Sequence, residues 1–186
     1  MGKKRQSGEL KSVPIPLQVH RYKELATLRA GAQTYLNTDH LQPFFPAIET
    51  LFKTNELENV HEYGIKFDDE VQTFISKDTI QTSSGPKKVH IKSTMLVSPF
   101  KWMRGDYGAF GLPKPENVAK EMNERVQSPH TAGYVGALTS IVLSESDCPH
   151  FPKVYGVFTG MATKHTIDIS DDYEDLTERH WFGNNI

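Results

Sequence analysis

A chain of 186 residues, 37% hydrophobic and 24% charged, has material for one domain or one and a half, with a lean core and a good share of loop. A formal net charge of −2 excludes a global attraction to nucleic acid, and a single cysteine, Cys148, excludes an internal disulfide and suits a reducing compartment. No apolar run approaches the roughly 18 residues that a membrane span needs, and no apolar signal-peptide region follows the start, so a soluble protein, intracellular or packed into a particle, is expected.

Residues 1–16 read as a basic flexible tail. Lys3, Lys4, Arg5 and Lys11 supply charge, while Pro14 and Pro16 block regular structure. Such a tail is either an arm for nucleic acid or another anionic surface, or a solvated terminus. From Val19 to about Leu36, Tyr22, Leu25, Ala26, Leu28, Ala32, Tyr35 and Leu36 recur at helical spacing, and Asn37-Thr38-Asp39 ends the helix. Pro43 and Pro46 bracket Phe44-Phe45, and Ala47 to Lys53 reads as a short second helix. Residues 17–61 thus form a helical segment, with Phe44, Phe45 and Phe52 as its core or as an exposed anchor patch.

From Glu62 the period falls toward two. Tyr63, Ile65 and Phe67 alternate, Asp68-Asp69-Glu70 makes a turn, and Val71, Thr73 and Ile75 alternate again. Thr79 to Thr82 continues as strand, Ser83-Ser84-Gly85-Pro86 turns, and Lys87 to Val97 is the partner strand. Glycines 105, 108 and 111 with Pro113 and Pro115 mark a long loop. Helices are predicted at 116–127 and about 130–146, and strands at 154–159 and 166–169, followed by the acidic Asp171-Asp172-Tyr173-Glu174-Asp175. The fold class expected is α+β: a helical N-terminal segment, then a small antiparallel sheet with a packed helix over 62–186.

Lys92, in Val89-His90-Ile91-Lys92, is the residue with a candidate chemical role. A strand lysine can hold the phosphates of a nucleotide when a helix glutamate steadies it, and alternation puts Lys92 on the face opposite Val89 and Ile91. The helix before Pro149-His150 has one glutamate, Glu145, near its end; Glu121 and Glu124 lie on the preceding helix and read as surface charges. The Gly105–Gly111 stretch does not follow G-x-G-x-x-G, and neither H-R-D nor D-F-G occurs. Cys148, His150 and His165 lack the pairing of a zinc site, and Asp168, Asp171 and Asp172 lack the register of a calcium loop. Lys101-Trp102-Met103-Arg104 combines cations with an aromatic, which suits a packing cluster or a stacking surface.

Four segments together resemble the serine/threonine kinase-like proteins of large nucleocytoplasmic DNA viruses. They are Val89–Lys92, Ser98–Gly105, Ser128–Leu138 and His150–Gly156, and the resemblance covers about residues 62–186. It implies a small lobe like that of a protein kinase, with Lys92 as phosphate lysine and ATP with magnesium as cofactor. It also implies residence in the virion or host cytoplasm, with no catalytic residue on this chain and the catalytic lobe lying elsewhere. A second reading is a non-catalytic scaffold or minor capsid component built on a kinase-like lobe, held by protein partners in the particle. A third is a nucleic-acid-associated protein using Lys3, Lys4, Arg5, Lys101 and Arg104.

Overall fold

The structure, a computed structural model, describes residues 17–43, 57–96, 98–104, 106, 129–146 and 149–182. The tail at 1–16, the predicted helix at 47–53 with Phe44, Phe45 and Phe52, most of the glycine-rich loop, the predicted helix at 116–127 with Glu121 and Glu124, and Cys148 lie outside the described residues.

The predicted N-terminal helix begins later than its periodicity suggests. Val19–Arg21 is a short strand, β1, and helix α1 runs Leu25–Leu36. The apolar positions assigned to the helix's first turns are core positions all the same. Val19 packs beside Ile65 and Phe67, and Tyr22 joins Leu25 and Leu28, but an extended backbone delivers the first two. Asn37 ends α1 as expected: it adopts the left-handed conformation, with φ 50°, and its N–H donates to the Ala32 carbonyl.

The chain then enters β2, Thr38–Gln42. Further strands are β3 at Tyr63–Ile65, β4 at Val71–Ser76, β5 at Thr79–Thr82 and β6 at Gly85–Lys88. A short helix α2 covers Pro99–Met103, a long helix α3 covers Pro129–Glu145, and β7 is Thr159–Ala162. A final short helix, α4, spans Tyr173–Thr177. The mixture is α+β with small antiparallel sheets. β4, β5 and β6 form a three-stranded meander, β1 pairs with β3, and β2 pairs with β7.

The meander is the part of the 62–97 reading that forms as a ladder. Phe74 pairs with Ile80 and Thr82 with Gly85, and Ile80 and Thr82 alternate onto the buried side of β5. On β4 the predicted alternation of Val71, Thr73 and Ile75 does not hold: the register shifts between Val71 and Thr73, so Val71 and Phe74 are buried and Ile75 is exposed. β3 does not join it. Its register is Val19↔Ile65 and Arg21↔Tyr63, which ties the strand ahead of α1 to the middle of the chain. Periodicity gives no sign of the β2–β7 pair. Its register slips between Asp39 and Gln42, where His40 has φ 50°, the mark of a bulge. The predicted strand at 166–169 is not formed; Ser170–Asp172 is a turn of 3₁₀ helix, and Ile167 is exposed.

Two apolar clusters hold these elements. One joins Ile65, Phe67 and Ile141, with Val19, Leu96, Leu138, Val154 and Val157 against them. The larger joins α1 to the meander through Leu25, Leu28, Ala32, Val71, Phe74 and Ile80. In the latter, α1 approaches the backbone of β4 at Gly31. A Cβ there would lie 2.8 Å from Thr73 Oγ1 and 3.0 Å from the Phe74 nitrogen. Replacing an interior helical glycine by alanine ordinarily stabilises by about 1 kcal/mol. Here the sign is expected to reverse. Gly31→Ala should lose about 1–3 kcal/mol, read as a lower urea midpoint, because α1 must back away from β4. A higher midpoint would refute the close approach.

Candidate functional site

Lys92 sits beyond the last rung of the meander. β5 begins at Thr79, whose partner is Lys88, and the Val89 N–H makes a last bond to the Asp78 carbonyl at 2.8 Å. Past that point the segment has no neighbouring strand among the described residues, so the predicted Lys87–Val97 strand stops at Lys88 as a ladder. The alternation nevertheless persists. Val89 and Ile91 are half-buried against the α1–meander cluster, while His90 and Lys92 are exposed. Lys92 therefore faces solvent on an extended segment, and among the described residues it has no ion pair.

A phosphate lysine needs a fixed ammonium and a second wall to close over the nucleotide. The described residues give Lys92 neither, so they do not fit ATP with magnesium by themselves, and no step of a reaction is derived through that group. Glu145 is exposed at the end of α3. Among the described residues, no three His, Cys, Asp or Glu side chains gather to hold a metal.

The segments around Lys92 do converge. Ile141 of α3 is fully buried with Ile65 and Phe67, and Leu138, Leu96 and Val154 each pack against the same cluster. Gly133 leaves room for Leu96, since a Cβ there would lie 2.6 Å from Leu96 Cδ2. The Pro149-His150 turn then returns the chain. The Val154 N–H donates to Ser144 Oγ at 2.9 Å, and the Tyr155 carbonyl accepts from the Val71 N–H at 3.2 Å. Isolated bonds of this kind anchor 154–158 without a ladder, which explains why the strand predicted at 154–159 forms regular pairing only from Thr159. Helix α3 carries no Asp, Glu, Lys or Arg from 129 to 144, yet Val135 is 52% and Val142 39% exposed.

Most of the acidic groups with a clear environment are engaged in local structure. Asp69 accepts from the Ser84 N–H at 3.1 Å, Ser84 Oγ at 2.5 Å and Ser83 Oγ at 3.2 Å, which ties the β3–β4 turn to the β5–β6 turn. These donors, with the Ser84 hydroxyl foremost, hold its carboxyl well below the usual carboxylate range. The Ser83-Ser84 turn is thus occupied by a carboxylate of this chain. Asp78 is lowered in the same way by Ser76 and Thr79, and Asp168 by Ser170. Arg104 pairs with Asp106 just beyond α2, so the Lys101–Arg104 cluster lies on a short helix and the residue after it.

His20 Nε2 approaches Glu70 Oε2 to 2.8 Å beside the Tyr22 ring, whose centroid is 4.9 Å from that of the imidazole. Burial, with Glu70 adding to it, pushes the Tyr22 hydroxyl up, so Tyr22 stays protonated and donates to the Ile65 carbonyl at 3.4 Å. Beside this group lies a groove of about 590 Å³ that the sequence reading missed, lined by Arg21, Lys23, Arg29 and Glu62 together with Leu25 and Ala26. Its only sequence signal is cations at 21, 23 and 29. The helical reading places all three on one helix, whereas Arg21 ends β1, Lys23 lies in the bend after it and Arg29 is on α1.

No family model, no curated protein and no solved structure matches this chain.

The Asp69 network gives a pH dependence with a definite sign. A carboxyl whose folded pKa lies below its unfolded value near 4 contributes stability that is present above that value and lost as pH falls through the folded one. Urea midpoints of wild type and Asp69→Asn should differ at pH 7, the gap beginning to narrow only below pH about 4 and closing as pH falls through the much lower folded value. A gap that stays constant into acid would show that Asp69 acts otherwise than as a bonded carboxylate.

Proposed function

We propose that this chain is the N-terminal, non-catalytic portion of a virion-associated serine/threonine kinase-like protein. In this reading the small-lobe elements meet a catalytic lobe that lies outside the chain. The supporting observation is the convergence on one apolar cluster of three segments that carry or flank the resemblance. Leu96 follows the Lys92 segment, Leu138 and Ile141 come from α3, and Val154 and Val157 follow the Pro149-His150 turn.

The uncharged outer face of α3 supports the placement of a second lobe. Val135, Thr139 and Val142 share an exposed, uncharged face at i, i+4, i+7 spacing, and exposed valines aligned in this way suit cover by another surface. An apolar surface of the further lobe is the occupant this reading requires. That lobe would also supply the wall that Lys92 lacks, with ATP and magnesium as the implied cofactor.

The scaffold reading differs in one respect: the same α3 face would meet a neighbouring particle protein and no nucleotide would bind. Intact mass of the native protein, with particle fractionation, separates the two. A mass well above 21.0 kDa, with ATP binding to the native protein lost in Lys92→Met, supports the kinase-like reading. A mass of 21.0 kDa in the particle fraction, with no nucleotide binding, overturns it in favour of the scaffold. Under either reading, Val135→Glu with Val142→Glu should leave the fold intact and abolish the association, because both side chains are already exposed.

A further inference from the structure

The groove beside α1 has an electrostatic imbalance. Three cationic side chains, Arg21, Lys23 and Arg29, line it with one carboxylate, Glu62. Glu62 is engaged by Arg21, whose Nε donates at 2.6 Å and whose second contact is 2.5 Å. Arg29 donates through Nε to the Leu41 carbonyl at 2.8 Å, which anchors the guanidinium while leaving its terminal N–H groups for another acceptor. Among the described residues, neither Lys23 nor Arg29 has a carboxylate partner. Like charges held around one concave space favour an anion within it.

We propose that this groove binds a small phosphate monoester, its oxyanion held by Lys23 and Arg29 and its organic body lying along Leu25 and Ala26. The proposal is independent of the kinase-like reading and of Lys92. Two observations fix the class of ligand. After Glu62 is counted, the lining carries a net charge of about +2, which matches the roughly −1.5 to −2 of a phosphate monoester better than a single carboxylate does. Guanidinium forks also suit phosphate oxygens geometrically. The groove is open to solvent, and its volume near 590 Å³ leaves space beyond the phosphate for a body resting against Leu25 and Ala26.

Amide chemical shifts of the full chain, titrated with phenyl phosphate and with inorganic phosphate, test the proposal. Saturable shifts at residues 21–29 are expected with both, with phenyl phosphate about tenfold tighter because its ring uses the apolar lining. Lys23→Gln and Arg29→Gln should each weaken phenyl phosphate about tenfold. Glu62→Gln frees Arg21 and removes the competing charge, so it should tighten binding several-fold, and Lys92→Met should change nothing. Because Arg29 also bonds the Leu41 carbonyl, the exposed Lys23 and the opposite-signed Glu62 variant keep the test decisive if Arg29→Gln unfolds. The proposal is overturned if no saturable shift appears at 21–29, if Glu62→Gln leaves affinity unchanged, or if Lys92→Met abolishes binding.

Discussion

The close approach of α1 to the backbone of β4, permitted by Gly31, is the contact on which the remaining geometry depends. Strands flank α1 at both ends, and each pairs with a distant part of the chain. β1 precedes it and pairs at Arg21↔Tyr63; β2 follows it and pairs at Thr38↔Ala162. Seating α1 on the meander therefore positions two further sheets at once. Asn37 makes the second of these connections tight, because its left-handed turn delivers the chain from helix to strand and its carbonyl accepts from the Thr163 N–H at 2.9 Å. Closing these long loops adds an entropic cost that two-stranded pairs this short cannot offset by themselves, so the apolar contacts of α1 with Val71, Phe74 and Ile80 must be in place for them to persist.

What could be read from the sequence follows from which signals are local. The helix of α3, the Asn37 stop and the β4–β6 meander depend on periodicity and turn chemistry within a few residues, and these were legible. β2 was not. Its sequence, Thr38-Asp39-His40-Leu41-Gln42, buries one apolar side chain, Leu41, and its ladder comes from a partner more than a hundred residues away. At 19–22 the ambiguity is intrinsic. Val19 and Tyr22 are three apart, which suits one face of a helix, yet a strand followed by a bend brings both into the core. Alternation at 89–92 gave the right faces but not a ladder, since packing on one side needs no hydrogen-bonding neighbour. The reverse holds at 166–169, where alternation occurs without either packing or pairing.

The same distinction applies to chemistry. Motif reasoning favoured Lys92 because a short pattern surrounds it, and the exposure of that side chain leaves its role to surfaces the described residues do not supply. Arg21, Lys23 and Arg29 form no motif at all. They become neighbours through a strand that sequence periodicity had absorbed into a helix. Carboxylates behave in the opposite way. Asp69, Asp78 and Asp168 each sit beside serines or threonines, where the competition between side chain and backbone for hydrogen bonds favours turns. Their low pKa values reflect that structural engagement, and an acidic residue among turn-forming hydroxyls is a weak indicator of catalysis in this chain.

Helix α3 carries the remaining tension between sequence and fold. Ile141 and Leu138 account for one of its faces, and a helix needs only that much apolar surface to attach to a single core. The adjoining exposed face could have been charged at no cost to this attachment, yet Val135, Thr139 and Val142 occupy it, and no Asp, Glu, Lys or Arg occurs between 129 and 144. Scattered exposed valines need no explanation, but an uncharged stripe at helical spacing on an otherwise half-covered helix does. A second apolar surface resolves it with the same physics that seats the first, by removing Val135 and Val142 from water. The folding of the described core and the recruitment of a further lobe or partner would then be two uses of one helix.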